Sequence, residues 1–175
     1  KKFINDEPFL LVTSHRRENI LNKLSLKNIV DLINSSDKKV VFPMGYATQR
    51  QIKEFGLNLN DNVLVIDPIG YLEFIYLLKK SQYCISDSGT VIEEACILNI
   101  PSIQMRYSTE RPEVYEVGSS VKFDPTLVDQ KFQDIHLMVD SLNNNKWSHP
   151  FGDGTSSKVI VEDLIDLSKN NKFHM

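Results

Sequence analysis

Cysteine is scarce in this chain: two residues, Cys84 and Cys96, among 175. They have no metal-ligand spacing and form no disulfide framework, so both read as small buried hydrophobes in a reduced, cytoplasmic protein. Glycine and proline number seven each, too few for a collagen-like or low-complexity chain. Positive charge is not in excess either. Twenty Lys and Arg against 23 Asp and Glu leave a net charge of −3, which excludes a broad basic footprint for nucleic acid, although a local cationic cluster can still hold a phosphorylated small molecule. No apolar run approaches the ~20 residues of a membrane span, and the start Lys1-Lys2-Phe3-Ile4-Asn5-Asp6-Glu7 lacks a signal-peptide core. The expectation is a protein without nucleic-acid or membrane partners. The chain opens on Lys rather than Met, which suggests a piece of something longer or a processed chain.

What is present is globular. With 41% hydrophobic and 25% charged residues, residues 1–175 are long enough for one domain with its own core. Pro8-Phe9-Leu10-Leu11-Val12-Thr13 is a continuous apolar run, as in a strand buried on both faces. The apolar spacing then predicts a helix over 20–33, a strand over 39–43, a helix over 48–55 stopped by Gly56, and a strand over 62–66. A helix over 71–80 follows, then a strand over 83–86, a helix over 90–98 and a strand over 102–105. A weaker strand over 121–123, a helix over 127–142 and a last helix over 156–168 complete the chain. Strict alternation of strand and helix predicts an α/β, Rossmann-like, doubly wound parallel sheet of about six strands. In such sheets ligands bind outside the carboxyl ends of the strands.

Four polar clusters fall at that rim. Ser14-His15-Arg16-Arg17-Glu18-Asn19 follows the first strand, Asp67-Pro68-Ile69-Gly70-Tyr71 the third, Asp87-Ser88-Gly89-Thr90 the fourth, and Thr109-Glu110-Arg111-Pro112-Glu113 the fifth. The stretch from Asp87 to Glu94 reads as a strand end, a small-residue turn and the first turns of a helix. Backbone N–H groups are unpaired there and the helix dipole favours an anion. Glu93 and Glu94 point ~100° apart, so only one of them faces such a ligand.

His15, of the residue type that changes charge near neutrality, suits a phosphate donor or a general acid, or else a strand-end histidine satisfied by backbone. Adjacent Arg16 and Arg17 do not both enter one pocket if extended. Arg111 is either part of a local salt-bridge loop with Glu110 and Glu113 or a fork for phosphate oxygens. The turn at Asp67 to Phe74 is an ordinary helix start or a base-binding turn. Together these features suit a nucleoside diphosphate with its ribose.

His15-Arg16-Arg17-Glu18-Asn19, Asp87-Ser88-Gly89-Thr90 with Glu93-Glu94-Ala95, and Thr109-Glu110-Arg111-Pro112-Glu113 occur in this order. With Pro68-Ile69-Gly70-Tyr71 and Gly152-Asp153-Gly154, they resemble the non-hydrolysing UDP-N-acetylglucosamine 2-epimerases over nearly the whole chain. The resemblance implies a two-domain enzyme of GT-B type of which this chain matches only the C-terminal, UDP-binding half. It implies that Ser88, Gly89 and Thr90 hold the diphosphate with Arg111 and Arg16, that Glu94 takes the ribose hydroxyls, that Phe74 lies at the uracil, and that His15 is the catalytic group near the sugar. Family members carry Ser-Gly-Gly or Ser-Gly-Thr at the turn; Thr90 fits the second form and leaves room for a substrate variant.

The implied chemistry is elimination of UDP with loss of the C2 proton, then re-addition with the proton returned to the opposite face. It needs no metal and no nicotinamide cofactor. The carboxylates that handle the C2 proton belong to the N-terminal half, so the chain alone is expected to bind UDP without turnover, and the whole protein to be a homodimer serving surface polysaccharide synthesis. A 2-epimerase of another UDP-2-acetamido sugar, a hydrolysing 2-epimerase, the donor domain of a GT-B glycosyltransferase and a non-catalytic nucleotide-sugar sensor are the alternatives.

Overall fold

Strand β1 (Phe9–Thr13) is buried along nearly its whole length, and its side chains divide by parity. Leu10 and Val12 enter one apolar cluster, Phe9 and Leu11 another, as the two-residue repeat of a strand requires when both faces are covered. A computed structural model describes residues 7–169. Around β1 lie β2 (Lys39–Pro43), β3 (Val63–Ile66), β4 (Cys84–Ser86), β5 (Ser102–Met105) and β6 (Ser120–Phe123), in the order β3-β2-β1-β4-β5-β6. Every pairing is parallel. The expected six-stranded doubly wound sheet is therefore present, and its strand order reverses between β1 and β4. That reversal is the crevice where ligands enter open α/β sheets.

The helices between these strands are α1 (Arg17–Ile20), α2 (Lys23–Asn34), α3 (Tyr46–Glu54), α4 (Tyr71–Lys80), α5 (Gly89–Ile97) and α6 (Glu113–Glu116). After β6 come α7 (Phe132–Leu142) and α8 (Ser156–Lys169). Ile29, Leu32 and Ile33 of α2 and Val139 of α7 fill the cluster under one face, with Ile52 of α3 at its margin. Leu77 and Leu78 of α4 and Ala95 of α5 fill the other. Caps set the boundaries. Gly56 at φ 67° and Asn99 at φ 56° end α3 and α5 in the left-handed region that glycine and asparagine tolerate best.

Two helices differ from the periodic reading. The segment 20–33 is divided because the Asn22 side chain accepts the Ser25 N–H at 3.1 Å, capping α2 and separating it from α1. The helix expected from 127 starts at 132. Asp124 holds Thr126 in a side-chain turn, and Asn28 reaches across from α2 to the Pro125 and Leu127 carbonyls at 2.9 and 2.7 Å. The backbone there is fixed by side chains that compete with helical bonds. Helix α8 forms as expected but buries none of its residues, and Ile160, Val161, Leu164 and Ile165 are exposed along it.

Candidate active site at the β1–β4 crevice

Asp87, the first residue beyond β4, is completely buried. Its carboxylate accepts the Ser14 hydroxyl at 3.1 Å, the His15 N–H at 3.0 Å, the Arg16 N–H at 2.9 Å and the Asn19 amide at 3.3 Å. Asn19 also donates to the Met105 carbonyl at 3.1 Å, and Thr48 of α3 donates to the Ser14 carbonyl at 2.7 Å. One carboxylate thus folds the turn after β1 around itself, with ties to the ends of β4 and β5. A buried acid surrounded by donors is held rigid, since each bond fixes the carboxylate and the donor it accepts from. What it presents outward is His15, whose Nδ1 lies 3.4 Å from Asp87 Oδ1 while more than half of its side chain stays open to solvent.

Helix α5 begins beside this clamp. Ser88 caps it, its hydroxyl facing the Val91 N–H at 3.5 Å, and Ser86 holds the Ser88 N–H at 3.0 Å. Helix geometry leaves the Gly89 and Thr90 N–H groups without an intrahelical acceptor, at the positive end of the dipole. The Glu110 carboxylate lies against this end: a Cβ at Gly89 would stand 3.4 Å from Glu110 Oε1. Arg106 grips that carboxylate at 2.7 and 2.9 Å, and Arg16 reaches it at 3.3 Å. The Arg106 bond, first, and the Arg106 and Arg16 charges behind it hold Glu110 below the usual carboxylate range. An acid side chain thus sits between two guanidiniums and a helix start, a cage of groups that attract an anion.

The two glutamates of α5 diverge as their spacing requires. Glu93 binds the Arg111 Nε, while Arg111 also donates to the Glu110 carbonyl at 2.9 Å. Glu94 accepts the Tyr71 hydroxyl at 2.9 Å. Burial pushes the Glu94 carboxyl up, the Tyr71 bond pulls it down, and neighbouring Glu93 pushes it up again. Phe74, one turn into α4, packs partly buried against the cluster beneath α4 and α5.

Of the residues singled out from the sequence, the structure brings His15, Arg16, Ser88, Gly89 and Thr90 to one crevice, with Glu94 a turn further along α5. Arg111 stands off the cage, committed to Glu93, and Phe74 lies at the edge of the core. Among the described residues no group of three or more His, Cys, Asp or Glu is arranged to hold a metal ion. Four residues went unassigned: Asp87, Asn19, Arg106 and Tyr71. Asp87 carried a readable signal, an acid placed directly at the end of a buried strand where it must find donors or go unpaired. Arg106 carried none, since a charged residue after a strand is commonly solvated.

The family model described as UDP-N-acetylglucosamine 2-epimerase matches residues 1–165. The chain is 40% identical over 169 residues to the UDP-N-acetylglucosamine 2-epimerase of Methanocaldococcus jannaschii, covering 91% of this chain and 45% of that protein. The crystal structure of the Methanocaldococcus jannaschii UDP-GlcNAc 2-epimerase in complex with UDP-GlcNAc and UDP superposes with a TM-score of 0.78 at 39% identity, covering 93% of this chain and 46% of that one. A UDP-2,3-diacetamido-2,3-dideoxy-D-glucuronate 2-epimerase from Pseudomonas aeruginosa is 38% identical over 120 residues, 67% of this chain and 33% of that protein. The chain therefore spans about half the length of the Methanocaldococcus relative. With the matched model running through β1 to α8 and the clamp, helix start and arginine cage on one rim, the chain belongs to the UDP-N-acetylglucosamine 2-epimerase family.

Proposed function

We propose that residues 1–175 form the UDP-binding half of a cytoplasmic UDP-N-acetylglucosamine 2-epimerase, and that they grip the leaving group rather than move the C2 proton. The observation that carries this reading is the caged carboxylate of Glu110 over the start of α5. A diphosphate entering the crevice takes the place of that carboxylate, meeting Arg16, Arg106, the Gly89 and Thr90 N–H groups and the Ser88 and Thr90 hydroxyls. Glu94 takes the ribose hydroxyls and the turn before α4, with Phe74, meets the uracil. Arg111 reaches the diphosphate only by leaving Glu93, so it contributes less than Arg106.

In the elimination the C1–O bond breaks, its electron pair leaves on the β-phosphate oxygen, and the C2 proton passes to a base outside this chain as the C1–C2 double bond forms. Charge that develops on the departing oxygen is what fixed donors and cations stabilise best. His15, held by Asp87, gives a proton to that oxygen on departure and takes the same proton back when the oxygen re-adds to C1. The exposed apolar side of α8 supports a second half for the whole protein, because a helix with this stripe gains its stability from packing. Buried, unpaired Cys84 and Cys96 fit a reducing compartment. A homodimer making an N-acetylmannosamine nucleotide for surface polysaccharide completes the reading; the Pseudomonas relative's name widens the sugar to other UDP-2-acetamido sugars.

The test is incubation with UDP-GlcNAc, followed by chromatography. The whole protein should give UDP-ManNAc at equilibrium with its epimer, and the 175-residue chain alone should give none. Turnover by the isolated chain would overturn the division of labour, and free ManNAc with UDP from the whole protein would mark a hydrolysing enzyme instead.

A further inference from the structure

Tyr71 is the first residue of α4, set at the carboxyl rim by the turn after β3, and it is about two-thirds exposed. An exposed tyrosine normally spends its hydroxyl on water. This one donates to Glu94 Oε1 at 2.9 Å, across the gap between α4 and α5. The bond lengthens no helix and closes no core; it holds a carboxylate at the rim in one orientation.

Holding that orientation has a chemical use. A carboxylate that recognises a vicinal diol must offer an oxygen to each hydroxyl, and a glutamate side chain free to turn gives up rotamer entropy to reach that geometry on binding. The O–H donated by Tyr71 occupies one lone pair of Oε1 and leaves the other sites of the carboxylate for a ligand. The phenol oxygen, 2.9 Å from that carboxylate, keeps its own acceptor capacity.

We propose that Tyr71 is a positioning and specificity-determining residue for the ribose: it aims Glu94 at the diol and accepts from one ribose hydroxyl, so that the site prefers ribonucleotides to 2′-deoxyribonucleotides. The proposal rests on the reading of Glu94 as the diol ligand. It differs from a competing role, in which the Tyr71 bond would have to break before nucleotide enters.

The experiment is calorimetric titration of the 175-residue chain with UDP and with 2′-deoxy-UDP, in the unaltered protein and in the Tyr71→Phe and Glu94→Gln variants. The unaltered chain should prefer UDP by about tenfold or more, the worth of one hydrogen bond to a charged group. Tyr71→Phe should reduce that preference to about threefold or less while 2′-deoxy-UDP binds as before. Equal weakening of both nucleotides, an unchanged preference, or tighter UDP binding in Tyr71→Phe would overturn the proposal, and only the last would establish competition. Failure of the underlying reading looks different: an unaltered chain that binds neither nucleotide or does not discriminate, or a Glu94→Gln variant that keeps the full preference, removes Glu94 from the diol and the Tyr71 role with it. Since Tyr71 is exposed, its replacement leaves the core intact, and an unchanged melting curve verifies that.

Discussion

Tyr83 and Asp87 flank β4, four positions apart, and each anchors a buried polar network of a different kind. At the amino end the Tyr83 hydroxyl donates to His136 Nδ1 at 2.6 Å and His136 Nε2 donates to the Leu32 carbonyl at 2.8 Å. Lys38 lies 5.1 Å over the Tyr83 ring and pairs with Asp140 at 2.6 Å. Donor meets acceptor throughout, and the network closes on protein groups. At the carboxyl end the Asp87 carboxylate is as fully satisfied, yet what it fixes, His15 and Arg16 beside the α5 start, points out of the fold. Polar groups that close inward contribute stability and a unique packing; those that hold other donors open toward solvent prepare a site.

Breaking the clamp should have the largest effect. Asp87→Ala leaves four donors without their acceptor, two of them on buried side chains, and should cost about 3 kcal/mol or more of stability together with measurable UDP binding. Urea unfolding and UDP titration of the same sample check both. A variant that loses binding while keeping its stability would mean that Asp87 touches ligand rather than folding the turn.

Removing a cage cation should act on binding alone. Arg106→Ala should weaken UDP by about 1.5–3 kcal/mol, as for a lost charge-assisted bond, with the urea midpoint nearly unchanged. Arg16→Ala and then Arg111→Ala should weaken it less, since the Arg111 guanidinium is already spent on Glu93. If Arg111→Ala has the largest effect of the three, the cage is centred differently from this account.

The closed network should show the reverse pattern. Tyr83→Phe should cost about 1 kcal/mol of stability, read from the urea midpoint, with UDP affinity unaltered. Its pH dependence has a definite sign. Burial, first, holds His136 below the ordinary histidine range, so the unfolded state binds a proton that the folded state refuses. Stability therefore falls as pH drops through about 6.5 and recovers above it. Unfolding free energies at pH 7.5 and 5.5 should differ in that direction, and His136→Gln should flatten the difference. A chain more stable at pH 5.5 would place a proton on the folded imidazole.

The strands were legible because each is a short apolar run, and a sheet covered on both faces leaves little else for such runs to do. The α5 start was legible for a different reason: Ser88-Gly89-Thr90 after a buried strand has a small set of backbone outcomes, nearly all with exposed N–H groups. What stayed hidden depends on contacts across many residues. Asp87 reaches back to Ser14, His15, Arg16 and Asn19, and Glu110 is caught between Arg16 and Arg106. Local pattern cannot say which of several charges in a loop will pair: Arg106 takes the Glu110 carboxylate, and Arg111 takes Glu93. The start of α7 was misplaced for the same cause: Asn28, about a hundred residues away, holds the loop that periodicity assigned to the helix.

The measurement that meets the central claim most directly is a paired calorimetric titration of the 175-residue chain with UDP and with uridine. If the β1–β4 crevice grips a diphosphate, UDP should bind saturably at one site, far more tightly than uridine, and weaken as salt is raised. Equal affinity for the two, or no heat at millimolar UDP, would contradict it.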